Sequence, residues 1–391
     1  MIDAPDLAID RFLAAALRAA MDRTALPPWP GDWPRTAAHA DAMFARIAFH
    51  GLALALLRDP ARLGDWPARL RGAVQNEARA QSFWERGHRE VLARLVAALA
   101  GVGITGIATK GTALAYSVYP DPALRRRGDS DLLVGEVALR PLRRTLAAHG
   151  FTPVGDARPL QESWSATCTL GFTHVFDLHW RINASPVIAA ALERGGIGTR
   201  SVPLPAVGAE VDGGARGLAP ADNLVVGAIN RAMHLRFGYR SGAALLFDAD
   251  RLIWALDVDL VCRGLDAAGW QTLLETAQAS GAAPVVHSAL AFAADRIGTA
   301  IPPAIMAALA ATPGDARLLR CIGPLGGFDR LRLELSACPT WRAKLAMTAY
   351  TLFPGREVLH ERFPGASHWP AAALHARRLL AGAGGLVLRK G

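Results

Sequence analysis

The chain has no apolar run of the roughly 18 residues that a membrane-spanning helix needs. Stretches such as residues 285–294 are shorter and polar side chains interrupt them. The N-terminus, MIDAPDLAID, is acidic and lacks the basic head of a secretory leader. Together these absences predict a cytoplasmic protein. Cysteine is sparse: Cys168, Cys262, Cys321 and Cys338 are far apart and form no CxxC pair. That spacing speaks against a zinc knuckle or a disulfide framework and predicts buried free thiols. Neither HExxH nor GxSxG occurs, so a zincin or a serine hydrolase has no support. There is no internal repeat and no low-complexity segment. Lysine is nearly missing, with only Lys110, Lys344 and Lys390 among 43 basic residues. In a chain that otherwise uses arginine, a lysine inside a loop points to a need for a compact point charge.

What is present is the composition of a folded protein. The 391 residues are 51% hydrophobic and 20% charged, enough for two or three domains with a sizeable core. The net charge of +9 suits an anionic partner such as a nucleotide or RNA. The arginines are scattered, however, so charge alone does not specify nucleic-acid binding.

Periodicity divides the chain in three. Residues 1–100 read as helices, with apolar residues at helical spacing in DLAIDRFLAAALRAAM and AHADAMFARIAFHGLALALL. A long helix is expected from about Val74 to Ala100, stopped by Gly101 and Gly103. Residues 101–215 read as an α/β core. Strands are expected at ITGIAT, DSDLLV, FTPV, SATCTL and THVFDLHW, with helices at residues 111–119 and 136–150. Residues 216–391 return to helices. One opens with Pro220 and an N-cap at Asp222, a second covers GAALLFDADRLIWAL, and others run to about Leu352. The tail is expected to fray after Gly382.

Two glycine motifs fail on context. GVGITG, residues 101–106, matches GxGxxG literally, but a helix precedes it and a strand follows, the reverse of a dinucleotide fingerprint. GIATKGT lacks the glycine that a phosphate loop needs immediately before its lysine.

A different constellation carries chemistry. Asp129 and Asp131 are one residue apart in a strand, so both carboxylates face the same side. Folding alone gives no reason to crowd two anions, and a divalent cation such as Mg²⁺ removes the repulsion. Upstream, Lys110, Gly111 and Thr112 lie at a strand-to-helix junction, where backbone amides, a hydroxyl and an ammonium suit phosphate. Downstream, Asp177 lies in an apolar strand with Val175 and His179 on its face, which is costly unless it is paired or metal-bound. If the two strands are neighbours, three carboxylates converge. His179 is expected to orient Asp177 or to pack beside Trp180. One of Arg125, Arg126 and Arg127 is expected to grip phosphate, with the other two solvated.

These pieces together resemble the DNA polymerase β-like nucleotidyltransferase superfamily. The pattern there is a glycine-based turn, a DxD strand and a third acid on a later strand. The chain is similar, more closely, to a bacterial nucleotidyltransferase-like family that carries KG, then YP…R…DxDLLV, then DLHW. Lys110, Gly111, Tyr119, Pro120, Arg125, Asp129, Asp131, Leu132, Leu133, Asp177, His179 and Trp180 stand where that pattern puts them. The likeness covers roughly residues 75 to 260. His234 and Asp248 stand where the family shows a histidine-containing helix and an aspartate, and Asn230 where histidine is often found. The turn is usually Gly-Ser; Gly111-Thr112 keeps the hydroxyl.

The resemblance implies an α+β fold: a polymerase-β-like core, a mixed sheet with flanking helices, between N-terminal and C-terminal helical regions. It implies transfer of a nucleoside monophosphate from an NTP to a hydroxyl of an acceptor. Asp129, Asp131 and Asp177 would hold two Mg²⁺ ions, and Asp177 would help to deprotonate the acceptor. Gly111 and Thr112 would seat the phosphates, with Lys110 and Arg125 adding charge. The acceptor, whether small molecule, peptide, protein or RNA, is not specified, and no membrane partner is expected. Two other classes stay open: a catalytically silent nucleotide-binding or scaffold protein, and a toxin-like enzyme acting on tRNA.

Overall fold

The computed structural model describes residues 4–57, 63–207, 214–241, 244–247, 249–366 and 368–378. The alanine- and leucine-rich N-terminal third forms α1 (Ala4–Asp22), α2 (Ala37–His50), the short α3 (Ala53–Leu56) and the 33-residue α4 (Ala68–Ala100). Thr36 starts α2 by accepting a hydrogen bond from the His39 amide at 3.2 Å. The long helix begins before the expected Val74 because Pro67 occupies its N-cap and leaves Ala68 free to start the first turn. Its buried stripe mixes Leu70, Val74, Leu92, Leu95 and Leu99 with Gln81, Glu85 and His88. Polar groups on a core-facing stripe need partners, and they find them beneath the sheet.

The central third supplies β1 (Ile107–Ala108), α5 (Lys110–Ser117), β2 (Asp129–Leu133), α6 (Leu139–Ala148), β3 (Thr152–Arg158), β4 (Gln161–Thr167), β5 (Thr173–His179) and α7 (Pro186–Arg194). Two short strands, β6 (Ser201–Pro203) and β7 (Arg216–Leu218), complete a sheet of order β3-β4-β5-β2-β1-β7-β6. The sheet thus reaches Leu218, past the expected core limit at residue 215. β2 is parallel to β5 and antiparallel to β1. Its inner face packs Leu132 with Leu178, Phe176 and Trp164 against α4, α5 and α6.

The last third forms α8 (Pro220–Phe237), α9 (Leu252–Gly264), α10 (Ala267–Ala279), α11 (Ala283–Ile297), α12 (Pro303–Ala311), α13 (Ala316–Ile322), α14 (Gly327–Ala337), α15 (Trp341–Leu352) and α16 (Arg356–Arg362). Helices therefore extend beyond Leu352. Two local expectations are corrected. Asp222 is not the N-cap of α8, which falls on Ala219; Asp222 is fully buried and pairs with Arg200 at 2.6 Å. The segment GAALLFDADRLIWAL is not one helix. Gly238, at φ 90°, ends α8 and turns the chain into the hairpin β8 (Tyr239–Ser241) and β9 (Ala244–Leu246) before α9 begins. Residues after Gly382 lie outside the described residues.

α8 and α9 are apolar on most sides and form the centre of a large helical core with α1, α2 and α11. The four cysteines are free and buried. Among the described residues no helix is long and apolar enough to cross a membrane. The architecture is a mixed sheet flanked by N- and C-terminal helical regions, the polymerase-β-like arrangement.

Candidate active site

The parallel pairing of β2 with β5 sets Asp131 directly opposite Asp177 and Leu133 opposite His179. Side chains alternate along each strand, so Asp129 and Asp131 share a face with Asp177 and His179, while Ser130 and Phe176 turn inward. The acids form the floor of a cleft of about 600 Å³. The facing wall comes from the C-terminal region: Asn230, His234 and Phe237 of α8, Tyr239 of the hairpin, Arg251 and Trp254. His234 stacks on Trp254 with ring centroids 5.7 Å apart, and the Arg251 guanidinium lies 4.4 Å from the Tyr239 ring centre.

Each acid is held differently. Asp177 accepts hydrogen bonds from Gln161 Nε2 at 2.5 Å and from Ser163 Oγ at 2.6 Å, both on the adjacent β4. Asp131 Oδ1 lies 2.7 Å from Lys110 Nζ and 3.0 Å from His179 Nε2. Asp129 opens into the cleft. Lost hydration there, reinforced by the charge of Asp131, pushes its carboxyl up to about 6 against the pull of Lys110. Burial raises Asp177 as well, with Asp131 adding and the Ser163 bond opposing. Burial also disfavours charge on Asp131, but Lys110 and His179 outweigh it and hold this carboxyl well below the usual range. Neighbouring carboxylates are thus driven apart in acidity by one lysine and one histidine.

Lys110 is itself placed by a distant residue. Its amide donates to Asn223 Oδ1 at 2.6 Å and its carbonyl accepts from Asn223 Nδ2 at 2.8 Å. Gly111 follows it and lines the cleft; a Cβ there would stand 3.3 Å from the Arg125 guanidinium.

One oxygen each from Asp131 and Asp177, with a ring nitrogen of His179, lie within 4.8 Å of one another. Hard carboxylate oxygens of this kind fit Mg²⁺. The Nδ1 atom of buried His179 has no hydrogen-bond partner. Asp129 is not part of this set, and it is the one cluster found among the described residues.

A family model described as an uncharacterised nucleotidyltransferase matches residues 36–298. The chain belongs to this nucleotidyltransferase family. The family is part of the polymerase-β-like superfamily. The match runs from α2 through α11, and leaves α1 and the helices from α12 onward outside it. No curated protein matches the chain.

Several residues expected at the nucleotidyltransferase cleft have other partners. Arg125 lines the cleft beside Gly111, and its Nε and Nη2 bind both oxygens of Asp257 at 2.7 and 2.8 Å, tying the core to α9. Arg127 is not solvated; it is buried against Glu85 at 2.8 Å. Arg126 pairs with Glu77 at 3.0 Å and donates to the Ala48 carbonyl. The Thr112 hydroxyl turns away from the cleft and donates to Ser130 Oγ at 2.8 Å, because its position on α5 faces the sheet. His179 orients Asp131 rather than Asp177. His174, on the opposite face of β5 from Asp177, lies in the core beside Trp84 and His88 and is no part of the cleft. His234 packs on Trp254 in the cleft wall, and Asp248 lies outside the described residues.

Sequence reasoning missed Asn223, Gln161, Ser163 and Asp257. A signal existed for three of them. Gln161 and Ser163 alternate in QESWSAT as strand neighbours of an acid should, and Asp257 interrupts the apolar run LIWALDVDLVC. Asn223 gave none.

Proposed function

We propose that the cleft transfers a nucleoside monophosphate from an NTP to a hydroxyl of an acceptor. The acceptor oxygen forms a bond to the α-phosphorus, the bond from that phosphorus to the β-bridging oxygen breaks, and pyrophosphate leaves with the electron pair. The observation that carries this reading is the register of β2 on β5, which sets Asp131 against Asp177 at the floor of an open cleft in a chain of this family.

Each residue has a role in keeping with its surroundings. Asp131, ionised beside Lys110, and Asp177 would hold Mg²⁺, with His179 steadying Asp131. The bound metal supplies charge neutralisation of the triphosphate and of the leaving pyrophosphate. Asp177, fixed by Gln161 and Ser163, takes the acceptor proton; a carboxyl raised by burial is suited to that task. Asp129 adds a second carboxylate toward the incoming nucleotide. Gly111 leaves room for phosphate oxygens near the start of α5, and the aromatic wall of Tyr239, Trp254 and Phe237 offers planar surfaces for a base or an acceptor.

The test is incubation with each labelled NTP, Mg²⁺ and a cell extract, followed by fractionation of the label. Label in one acceptor fraction, absent with Asp129→Asn/Asp131→Asn, is the expected result. Equal labelling by this double variant removes the mechanism.

A further inference from the structure

Lys110 has a backbone that ordinary packing does not explain. Among the described residues only it and Arg23 combine a side chain with a positive φ, and Lys110 stands at 52°. A non-glycine residue in that region is strained and persists only where its surroundings over-determine it. Here the surroundings are Asn223, which is fully buried and spends both halves of its amide on the Lys110 amide and carbonyl. The clamp reaches across 113 residues, from α8 to the first turn of α5. Its effect is to aim the side chain back over the sheet, where Nζ meets Asp131 Oδ1 at 2.7 Å. The ammonium is felt by all three acids of the cleft, Asp131 first, then Asp129 and Asp177.

That oxygen is already crowded. Asp131 Oδ1 takes Lys110 on one side and His179 on the other. A second divalent ion shared by Asp129 and Asp131 would have to sit beside the ammonium that is fixed there. The metal-compatible group comprises Asp131, Asp177 and His179 and omits Asp129. The charges also balance: three carboxylates are offset by one divalent ion and one ammonium. A lysine fits this place better than an arginine, because a compact charge on a flexible stem can sit against one oxygen without a planar fork.

We propose that Lys110 is the resident cation of the cleft, taking the place of a second protein-held metal, and that Asn223 is the positioning residue that aims it. The chain by itself then binds one divalent ion, and any further ion arrives with the triphosphate. This rests on the metal-dependent reading of the cleft given above.

The test is a count of Mn²⁺ bound by the full chain without nucleotide, from the electron paramagnetic resonance signal of free Mn²⁺ during titration at pH 8. Wild type is expected to bind one ion. Lys110→Met is expected to bind a second ion, or to bind the first at least tenfold more tightly. Asn223→Ala leaves the ammonium unaimed and is expected to tighten Mn²⁺ at least threefold. A wild-type count of two or of none overturns the proposal, and so does unchanged binding in both variants. If Lys110→Met does not fold, as judged by circular dichroism, the wild-type count and Asn223→Ala decide. The count needs no turnover. One ion without detectable transfer defeats the proposed reaction and leaves this inference standing; transfer with two ions does the reverse.

Discussion

On the inner face of β2, Ser130 is fully buried and hydrogen-bonds with His88 Nε2 at 2.6 Å and Thr112 Oγ1 at 2.8 Å. Behind it, the Tyr116 hydroxyl donates to Glu85, and Arg127 pairs with Glu85. On the outer face, two residues of the same strand, Asp129 and Asp131, meet Asp177 with Lys110 as the nearest counter-charge. Both faces gather polar side chains where water is scarce. The inner set pairs its charges internally, Glu85 with Arg127, and leaves single nitrogens such as Arg127 Nε without a hydrogen-bond partner. The outer set has more negative charge than one lysine cancels, and it opens into the cleft. Buried polarity is therefore not the mark of the site in this fold. The mark is polarity left incomplete toward an accessible space.

The contrast is broken most severely at Asp177. Asp177→Asn is expected to reduce label transfer by at least about 10³-fold, roughly 4 kcal/mol of transition-state stabilisation. Thermal unfolding should hold or rise, because a carboxylate disfavoured by its surroundings has been removed; initial rates and calorimetry on the same sample check both halves.

The opposite outcome is expected on the inner face. Arg127→Met strands the buried Glu85 charge and should cost about 3–5 kcal/mol of stability. A fall in the urea midpoint measures it, and an unchanged midpoint would show that the inner network does not need its ion pair.

Ser130→Ala is a gentler probe of the same face. It leaves His88 Nε2 and the Thr112 hydroxyl without their shared partner, for about 1–3 kcal/mol. Transfer per folded molecule should fall far less than in Asp177→Asn.

The smallest effects distinguish the faces by sign with pH. Asp129 is raised from 3.8 to about 6, so between these values the native state keeps a proton that the unfolded chain releases. Its contribution to stability therefore declines as pH rises through that window. Burial, with Arg127 adding, lowers His174 from 6.5 to about 4. Here the unfolded chain takes up the proton first, so stability declines as pH falls from 6.5 toward 4. Unfolding midpoints across this range should lose the first trend in Asp129→Asn and the second in His174→Phe.

Much of this was legible from local pattern. The DSDLL alternation put both acids on one face, and Val175 and His179 flanking Asp177 put that acid on the corresponding face of its own strand. The change from helical to alternating spacing near residue 101 located the sheet. The hairpin at residues 239–246 was not legible, because ALL reads equally as a helical turn when the preceding Gly238 is not known to turn the chain. The fate of Arg125, Arg126 and Arg127 was hidden for a similar reason. All three look alike in RRR, and only their surroundings assign them to Asp257, Glu77 and Glu85.

By itself, then, the order of residues determined which side chains could share a surface, since that depends on backbone period over a few positions. Tertiary packing decided which of them are spent. Arg125 reaches Asp257 across 132 residues and Asn223 reaches Lys110 across 113. Such pairings depend on how helices of the C-terminal region dock on the sheet, a sum of many weak contacts that no short stretch of sequence contains.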